Sequence, residues 1–331
     1  MRTKPPTKRA PFFIVGCGRS GTTLLRTMLN RHSLVGIPLE SLFIVDYLQA
    51  KESLDHDRLI RTLVREFELR EWGMEVDPKD LADTTDARDA IEKLHQIYLA
   101  KSHKQIWGQK TPRFVRYGDV LKQAWPEAKF VHVVRDPRAV ASSLLRSDAH
   151  RSNAYFAARR WVKDVSAGIK LQERFPDDVL LIRYEELVRS PEKQLEGVCH
   201  HLDISCEAGL ATPETGDTRE YGAYYANVHE LLSRAPDPER IDLWQKTLTR
   251  RQLRLVEHYC NPLMSELGYQ AIETHANPAK PYISALIAER AIGVAAQFVK
   301  YQRERRGYLR SFFRRKLTIR GIKTSFSEGL R

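Results

Sequence analysis

Short apolar runs alternate along the chain with longer segments in which apolar positions recur at helical spacing. The first run is Phe12 to Val15; after a loop holding Gly16, Gly18 and Gly21, the stretch Thr23 to Arg31 places Leu24, Leu25, Met28 and Leu29 on one helical face. Further short runs fall at Leu34 to Glu40, which closes on a carboxylate, at Ile106 to Gly108, at Phe130 to Val134 and at Val179 to Ile182. Strands this short, separated by helical stretches, predict parallel pairing with right-handed crossovers. The expected fold class is α/β, in three layers around a central parallel sheet.

The helical segments carry their own start and stop signals. Asp136-Pro137 and Ser190-Pro191-Glu192 each offer a capping side chain followed by proline at a first helical position. Thr249 to Gln252 forms a capping box that predicts a helix running through Leu267, ended by Gly268. Ser41 to Ser102 is helical and charged, with Leu59, Leu63 and Phe67 at helical spacing and a turn at Asp77-Pro78, so residues 41–105 read as a helical insertion. Residues 211–240 are rich in Pro, Gly, Tyr and Asp and too long for a simple connection, which predicts a lid or an irregular loop.

From Tyr282 onward the pattern changes. Ile283, Leu286, Ile287, Ala291, Val294, Ala295 and Phe298 fall on one helical face; beyond Gly307, Leu309, Phe312, Phe313 and Leu317 continue among Arg310, Arg314, Arg315 and Lys316. Two readings suit this C-terminal basic helical tail: helices docked on the core with a solvated basic end, or a basic amphipathic segment resting on anionic membrane. The expected organisation is a basic N-terminal segment (1–10), one large domain (11–270) and the tail (271–331).

Charge sharpens that division. The 331 residues carry a net charge of +12. Lys300 to Arg331 hold eleven basic residues against two glutamates, a net +9, which leaves only about +3 for everything before them. The tail lacks the aromatic interleaving of a nucleic-acid binder, so no such partner is expected. Cys17, Cys199, Cys206 and Cys260 show no paired spacing, as expected of reduced thiols, and His200 and His201 beside Cys199 do not amount to a metal site. No metal is expected. The N-terminus has no apolar stretch long enough for a signal sequence, and the best candidate span, Ile283 to Val299, is interrupted by Glu289 and Arg290. The expectation is a cytoplasmic protein, peripheral to the membrane if the tail binds lipid.

The chemistry concentrates in Phe12 to Leu25. Gly16-x-x-x-x-Gly21-Thr22-Thr23 matches the P-loop spacing, in which backbone N–H groups and a helix N-terminus cradle an anion, except that Thr22 stands where a nucleotide hydrolase carries Lys. A positive charge lies instead within the loop, as Arg19. A second cation, Lys110, closes the strand at Ile106, where ligands of open α/β sheets bind. Arg135 closes the strand at Phe130, with Ser142 and Ser143 two turns along the following helix. Arg135 with these hydroxyls suits a second phosphate.

In Arg19-Ser20-Gly21-Thr22-Thr23 together with Arg135-Asp-Pro-Arg-Ala-Val-Ala-Ser-Ser143, the chain resembles sulfotransferases that use 3′-phosphoadenosine-5′-phosphosulfate, most of all the tyrosylprotein sulfotransferase-like branch. The similarity runs loosely from Pro11 to Tyr269. It implies a P-loop three-layer fold and assigns Arg19, Ser20, Gly21, Thr22 and Thr23 to the 5′-phosphosulfate, and Arg135 and Ser143 to the 3′-phosphate. By the same resemblance Tyr184 lies near the adenine, and Ser233, with Arg234, matches weakly a cofactor loop. Glu40, following His32, takes the place of the catalytic base, and Lys110 that of a residue on the transferring group, although Thr111 replaces the acidic residue expected next to it. The acceptor that the resemblance implies is a hydroxyl on a saccharide, lipid, small molecule or peptide tyrosine. A P-loop small-molecule kinase and a non-catalytic nucleotide-binding scaffold are the alternatives.

Overall fold

The computed structural model describes residues 9–50, 55–147, 152–212, 236–272 and 279–319. Five strands form one parallel sheet: β1 (Phe12–Gly16), β2 (Val35–Gly36), β3 (Ile106–Lys110), β4 (Lys129–Val134) and β5 (Val179–Arg183), in the order β2-β3-β1-β4-β5. Phe12 aligns with Gly108 on one side and Lys129 on the other, which puts β1 at the centre. Alternate residues of β1 serve opposite faces. Phe13 and Val15 enter a cluster with Trp107, Phe114, Trp125 and Phe130, whereas Phe12 and Ile14 pack with Leu25, Met28, Val131 and Leu195. A sheet apolar on both faces must be covered on both, and the layers follow from that.

Helices α1 (Thr22–Leu29), α9 (Tyr184–Arg189) and α10 (Pro191–His201) bring Leu25, Met28, Leu29, Leu187, Leu195 and Val198 to the Phe12 face. The predicted insertion provides α2 (Phe43–Leu48), α3 (His56–Leu63), α4 (Phe67–Glu71) and α5 (Ala87–Ser102), whose apolar sides join the Phe13 face. It is part of the core. The short helix α6 (Gly118–Ala124) leads into β4; α7 (Pro137–Leu145) and α8 (Ala154–Arg174) form a third cluster with the helix Arg250–Cys260.

Asp136 caps α7 as expected, its carboxylate accepting from Arg138 N at 2.8 Å. Two other expectations give way. The capping box at Thr249 is present, but the helix it opens ends at Cys260, because Pro262 removes a backbone donor and Leu263–Glu266 form a separate turn. Ser190 precedes α10 without a side-chain cap. Most of the predicted 211–240 loop, including Ser233, lies outside the described residues.

The tail is two helices, Lys280–Glu304 and Tyr308–Thr318, separated by Gly307 at φ 95°. The second docks on the insertion. Arg315 is buried there, donating to Asp46 at 2.9 Å and to Glu66 at 2.5 Å, while Ser311 and Tyr47 also donate to Glu66, at 2.7 and 2.8 Å. Arg305 pairs with Glu71 and lies over the Tyr308 ring at 4.2 Å. The first helix overturns the expectation that no segment reaches membrane-spanning length. Tyr282–Glu304 is long and apolar enough to cross a bilayer, since Glu289 and Arg290 do not interrupt the helix.

Candidate functional site

Every strand delivers a side chain or a loop to the same edge of the sheet. Glu40 follows β2, Lys110 ends β3, the glycine loop follows β1, Arg135 follows β4 and Tyr184 follows β5. Parallel strands all point their carboxyl ends one way, so residues far apart in sequence converge.

The loop's shape rests on residues that tolerate left-handed backbone. Arg19 sits at φ 74° and Gly21 at φ 93°. A Cβ on Gly21 would lie 2.3 Å from the Tyr184 ring, so glycine is required by conformation and by space. Gly21 opens α1 without a side-chain cap, and the first turn holds no acidic residue, which leaves backbone N–H groups and the positive helix end directed at the loop. Ser20 Oγ is buried and has no hydrogen-bond partner among the described residues. An orphaned donor beside a bare helix N-terminus fits an anionic ligand.

Arg19 Nε donates to Ser143 Oγ at 3.0 Å, and Arg135 Nη1 donates to the Arg19 carbonyl at 3.2 Å. The Arg135 guanidinium lies 4.0 Å over the Tyr184 ring, and Trp161 Nε1 holds the Arg135 carbonyl at 2.8 Å. The structure therefore joins Arg19, Gly21, Arg135, Ser143 and Tyr184 in one cluster. Ser142 turns away, bonding Thr247 Oγ1 at 2.7 Å, so only one of the two adjacent serines faces the loop.

On the other side of the loop, Lys110 Nζ donates to Thr23 Oγ1 at 3.1 Å and to the Glu40 carboxylate. Lys110 is 1% exposed and Glu40 34%, so the cation is sealed in while the carboxylate reaches the surface of the site. The backbone flanking Glu40 is clamped. Gln109 Nε2 and Trp72 Nε1 both donate to the Leu39 carbonyl at 3.0 Å, Ser41 N donates to Thr111 Oγ1 at 3.0 Å, and Arg26 Nε donates to the Ile37 carbonyl at 2.9 Å. Thr111 thus serves as an anchor for this segment. His32 does not join it: fully buried, it bonds the Ser205 carbonyl at 2.8 Å and accepts from Leu34 N at 3.1 Å.

Electrostatically the site is a cluster of like charges. Burial, then Arg135, Arg146 and Arg160, depress the Arg19 guanidinium pKa, with Glu40 opposing. Burial likewise lowers the Lys110 ammonium, again against Glu40. Burial followed by Arg240 and Arg135 lowers Arg146. Buried cations that destabilise one another are relieved by an anion among them. Arg146 and Arg160 were not legible as site residues: one follows the end of α7 and the other stands on α8, among ordinary surface charges, and only the packing brings them to the loop. A Cβ on Gly18 would lie 2.6 Å from Arg160 Nη2, which shows how closely that guanidinium covers the glycine. Among the described residues, no group of three His, Cys, Asp or Glu side chains is placed to hold a metal ion.

Comparison with known proteins gives this geometry a context. The nodulation protein NoeE of Sinorhizobium fredii is 24% identical over 290 residues, covering 81% of this chain and 68% of its own length. A protein-tyrosine sulfotransferase of Drosophila melanogaster is 23% identical over 276 residues, covering 80% of this chain; the chain spans only 52% of that relative. Among solved structures, the sulfotransferase domain from the curacin biosynthetic pathway superposes with a TM-score of 0.56 at 21% identity, over 80% of this chain and 99% of its own, a likeness of fold. Residues 11–208, from the start of β1 to beyond α10, match the sulfotransferase family, and with the anion loop, the second arginine and the buried lysine inside that span, the chain belongs to the sulfotransferase family of enzymes.

Proposed function

We propose that the chain transfers the sulfuryl group of 3′-phosphoadenosine-5′-phosphosulfate to an acceptor hydroxyl, with Glu40 as general base. The observation that carries this reading is the chain of contacts Glu40–Lys110–Thr23, which ties a partly exposed carboxylate to the mouth of an anion-binding loop. Arg19, Ser20, Gly21, Thr22 and Thr23 would hold the 5′ side of the donor and Arg135 with Ser143 the 3′-phosphate, with the Tyr184 ring against the base. Ser233 remains an assignment by resemblance, outside the described residues.

The chemistry then needs no further group. The Glu40 carboxylate takes the acceptor's hydroxyl proton as the oxygen forms its bond to sulfur and the bond from sulfur to the bridging phosphate oxygen breaks. Adenosine 3′,5′-bisphosphate departs with that electron pair. Arg19 and Lys110 stand where negative charge grows on the sulfuryl and bridging oxygens, and their burial strengthens the effect. The clamp on Leu39 and Ser41 fixes the base, so that little ordering remains to be done in the transition state.

The acceptor is left at the level of a hydroxyl. The Drosophila relative is named for protein tyrosine, yet a shared fold does not fix the acceptor, which would be chosen by the parts that shape its pocket, the helical insertion and the 211–240 region. Incubation with the donor and candidate acceptors should release adenosine 3′,5′-bisphosphate, and Glu40→Gln should lower turnover about a hundredfold or more while leaving calorimetric affinity for the bisphosphate near that of the wild type. A fully active Glu40→Gln would remove the assigned base. Turnover of Mg-ATP in place of the sulfate donor would favour the kinase reading.

A further inference from the structure

The helix Lys280–Glu304 is amphipathic in the opposite sense to a helix of an ordinary domain surface. Its inner side is tied to the body: Asn153 Nδ2 donates to the Leu286 carbonyl at 2.7 Å, Arg251 lies over the Tyr282 ring at 3.4 Å, and Ile283 packs against the third core cluster. Arg290 and Gln297 lie on this half-buried side. At about 100° per residue, Ile287, Ala291, Ile292, Ala295, Phe298 and Val299 fall on the outward side. All six are exposed; Ile292 is 73%, Val299 50%, Ile287 48% and Phe298 44% accessible. The apolar arc thus faces away from the protein over four turns.

The docked helix Tyr308–Thr318 continues the pattern. Its inner side holds Phe312 and Arg315, while Phe313 and Leu317 are 53% and 63% exposed. Arg306 and Arg310 are exposed beside them. On the second helix exposed apolar side chains stand beside exposed arginines, and the segment from Lys300 to Arg331 carries a net +9. That combination suits the boundary of an anionic bilayer, where aliphatic and aromatic groups enter the acyl region and guanidinium groups stay among the phosphates.

We propose that the outward side of Lys280–Glu304, with Phe313 and Leu317, is a membrane-docking surface for anionic lipid. Charge complementarity chooses this occupant over a second copy of the chain, because self-association through this face would bring two strongly basic tails together. The helix lies on the membrane and does not cross it. Although about 38 Å long and thus of spanning length, it is tied to the domain at Tyr282, Ile283 and Leu286 and carries Glu289 and Arg290 near its middle.

The test reads binding and not turnover, so it stands apart from the catalytic assignment. The full chain is sedimented with vesicles of phosphatidylcholine alone and of phosphatidylcholine with phosphatidylserine, and compared with Ile287→Ser/Ile292→Ser/Phe298→Ser, whose sites are exposed and lie outside the folded core. Wild type should bind the serine-containing vesicles, bind the neutral ones far less, and lose binding with salt; the triple variant should lose affinity about tenfold or more with an unchanged melting temperature. Arg306→Glu/Arg310→Glu should abolish the preference for anionic lipid. Equal vesicle binding by wild type and the triple variant would overturn the proposal. So would a wild type that ignores vesicles, or one that forms a lipid-independent dimer, seen by light scattering, which the serine substitutions dissolve.

Discussion

Gly21 shows how a single position serves conformation, packing and chemistry together. Its positive φ turns the chain into α1, its missing Cβ admits the Tyr184 ring, and the ring in turn supports the Arg135 guanidinium. Lys110 works in the same compact way, buried at the end of β3 yet donating to both a loop hydroxyl and the proposed base. Not every buried polar residue is part of this machinery. His132 on β4 is fully buried, neither ring nitrogen has a hydrogen-bond partner among the described residues, and burial pushes its pKa down to about 4. The unfolded imidazole takes up its proton near 6.5, so the unfolded state binds more protons between 6.5 and 4. Its contribution to stability is intact above 6.5 and is lost as pH falls toward 4. Replacing it by an apolar group of similar size removes that linkage. Chemical denaturation should show the stability difference between pH 7 and pH 5 shrinking by about 2 kcal/mol in His132→Leu relative to wild type; an unchanged difference would show that His132 is not the titrating group.

At the scale of elements, the tail is joined to the insertion by a buried ionic knot. Arg315 meets Asp46 on α2 and Glu66 just before α4, two carboxylates that would otherwise be sealed away from water. Burial holds the Glu66 carboxyl up at about 7 even with Arg315 beside it. A carboxyl whose folded-state pKa is raised gives its full contribution in acid and loses it as pH rises through that value. Arg315→Ala should therefore cost about 3–5 kcal/mol at pH 8, where Glu66 is left as an uncompensated buried charge, and clearly less at pH 6, where it can be protonated. Protease cleavage between Glu304 and Tyr308 should become faster in step, by loss of docking. Equal destabilisation at both pH values would mean that Glu66 is not the partner that matters. Among the described residues, the long helix beside it has no comparable anchor on its outward side, which is the side proposed to meet lipid.

The whole molecule gathers its cations where the strands end. Arg19, Lys110, Arg135, Arg146 and Arg160 come from five separate segments, and the depression of Arg19, by burial and then by Arg135, Arg146 and Arg160, expresses the cost of placing them together. An anionic ligand that offsets this cost should stabilise the fold. Adenosine 3′,5′-bisphosphate at a hundred times its dissociation constant should add about 2.7 kcal/mol, visible as a higher melting temperature, and the dissociation constant itself should rise with salt as screening weakens the attraction. No shift at saturating concentration would contradict the site. The architecture behind this convergence was largely legible, because the local signals agree: Phe12 to Val15 and Phe130 to Val134 read as buried strands, the glycine spacing as an anion loop, and Asp136-Pro137 as a helix start. Arg19, Glu40, Lys110, Arg135 and Ser143 were legible by motif, and the structure brings them together. Arg146, Arg160 and the clamp of Trp72, Gln109 and Thr111 were not, because each looks locally like an ordinary helical or strand residue.

What the sequence determined by itself is what depends on neighbours along the chain: strand and helix periodicity, turn glycines, caps, and the change of charge at the tail. What only the tertiary structure decided is which distant residues meet. It separated Ser143 from Ser142, made His32 a structural residue and turned the apolar side of Lys280–Glu304 outward. The physical reason is the same in each case. Periodicity specifies that a helix has an apolar face and a motif specifies that a loop can hold an anion, but the direction a face points is set by packing against elements remote in sequence, and that is decided when the layers close on one another.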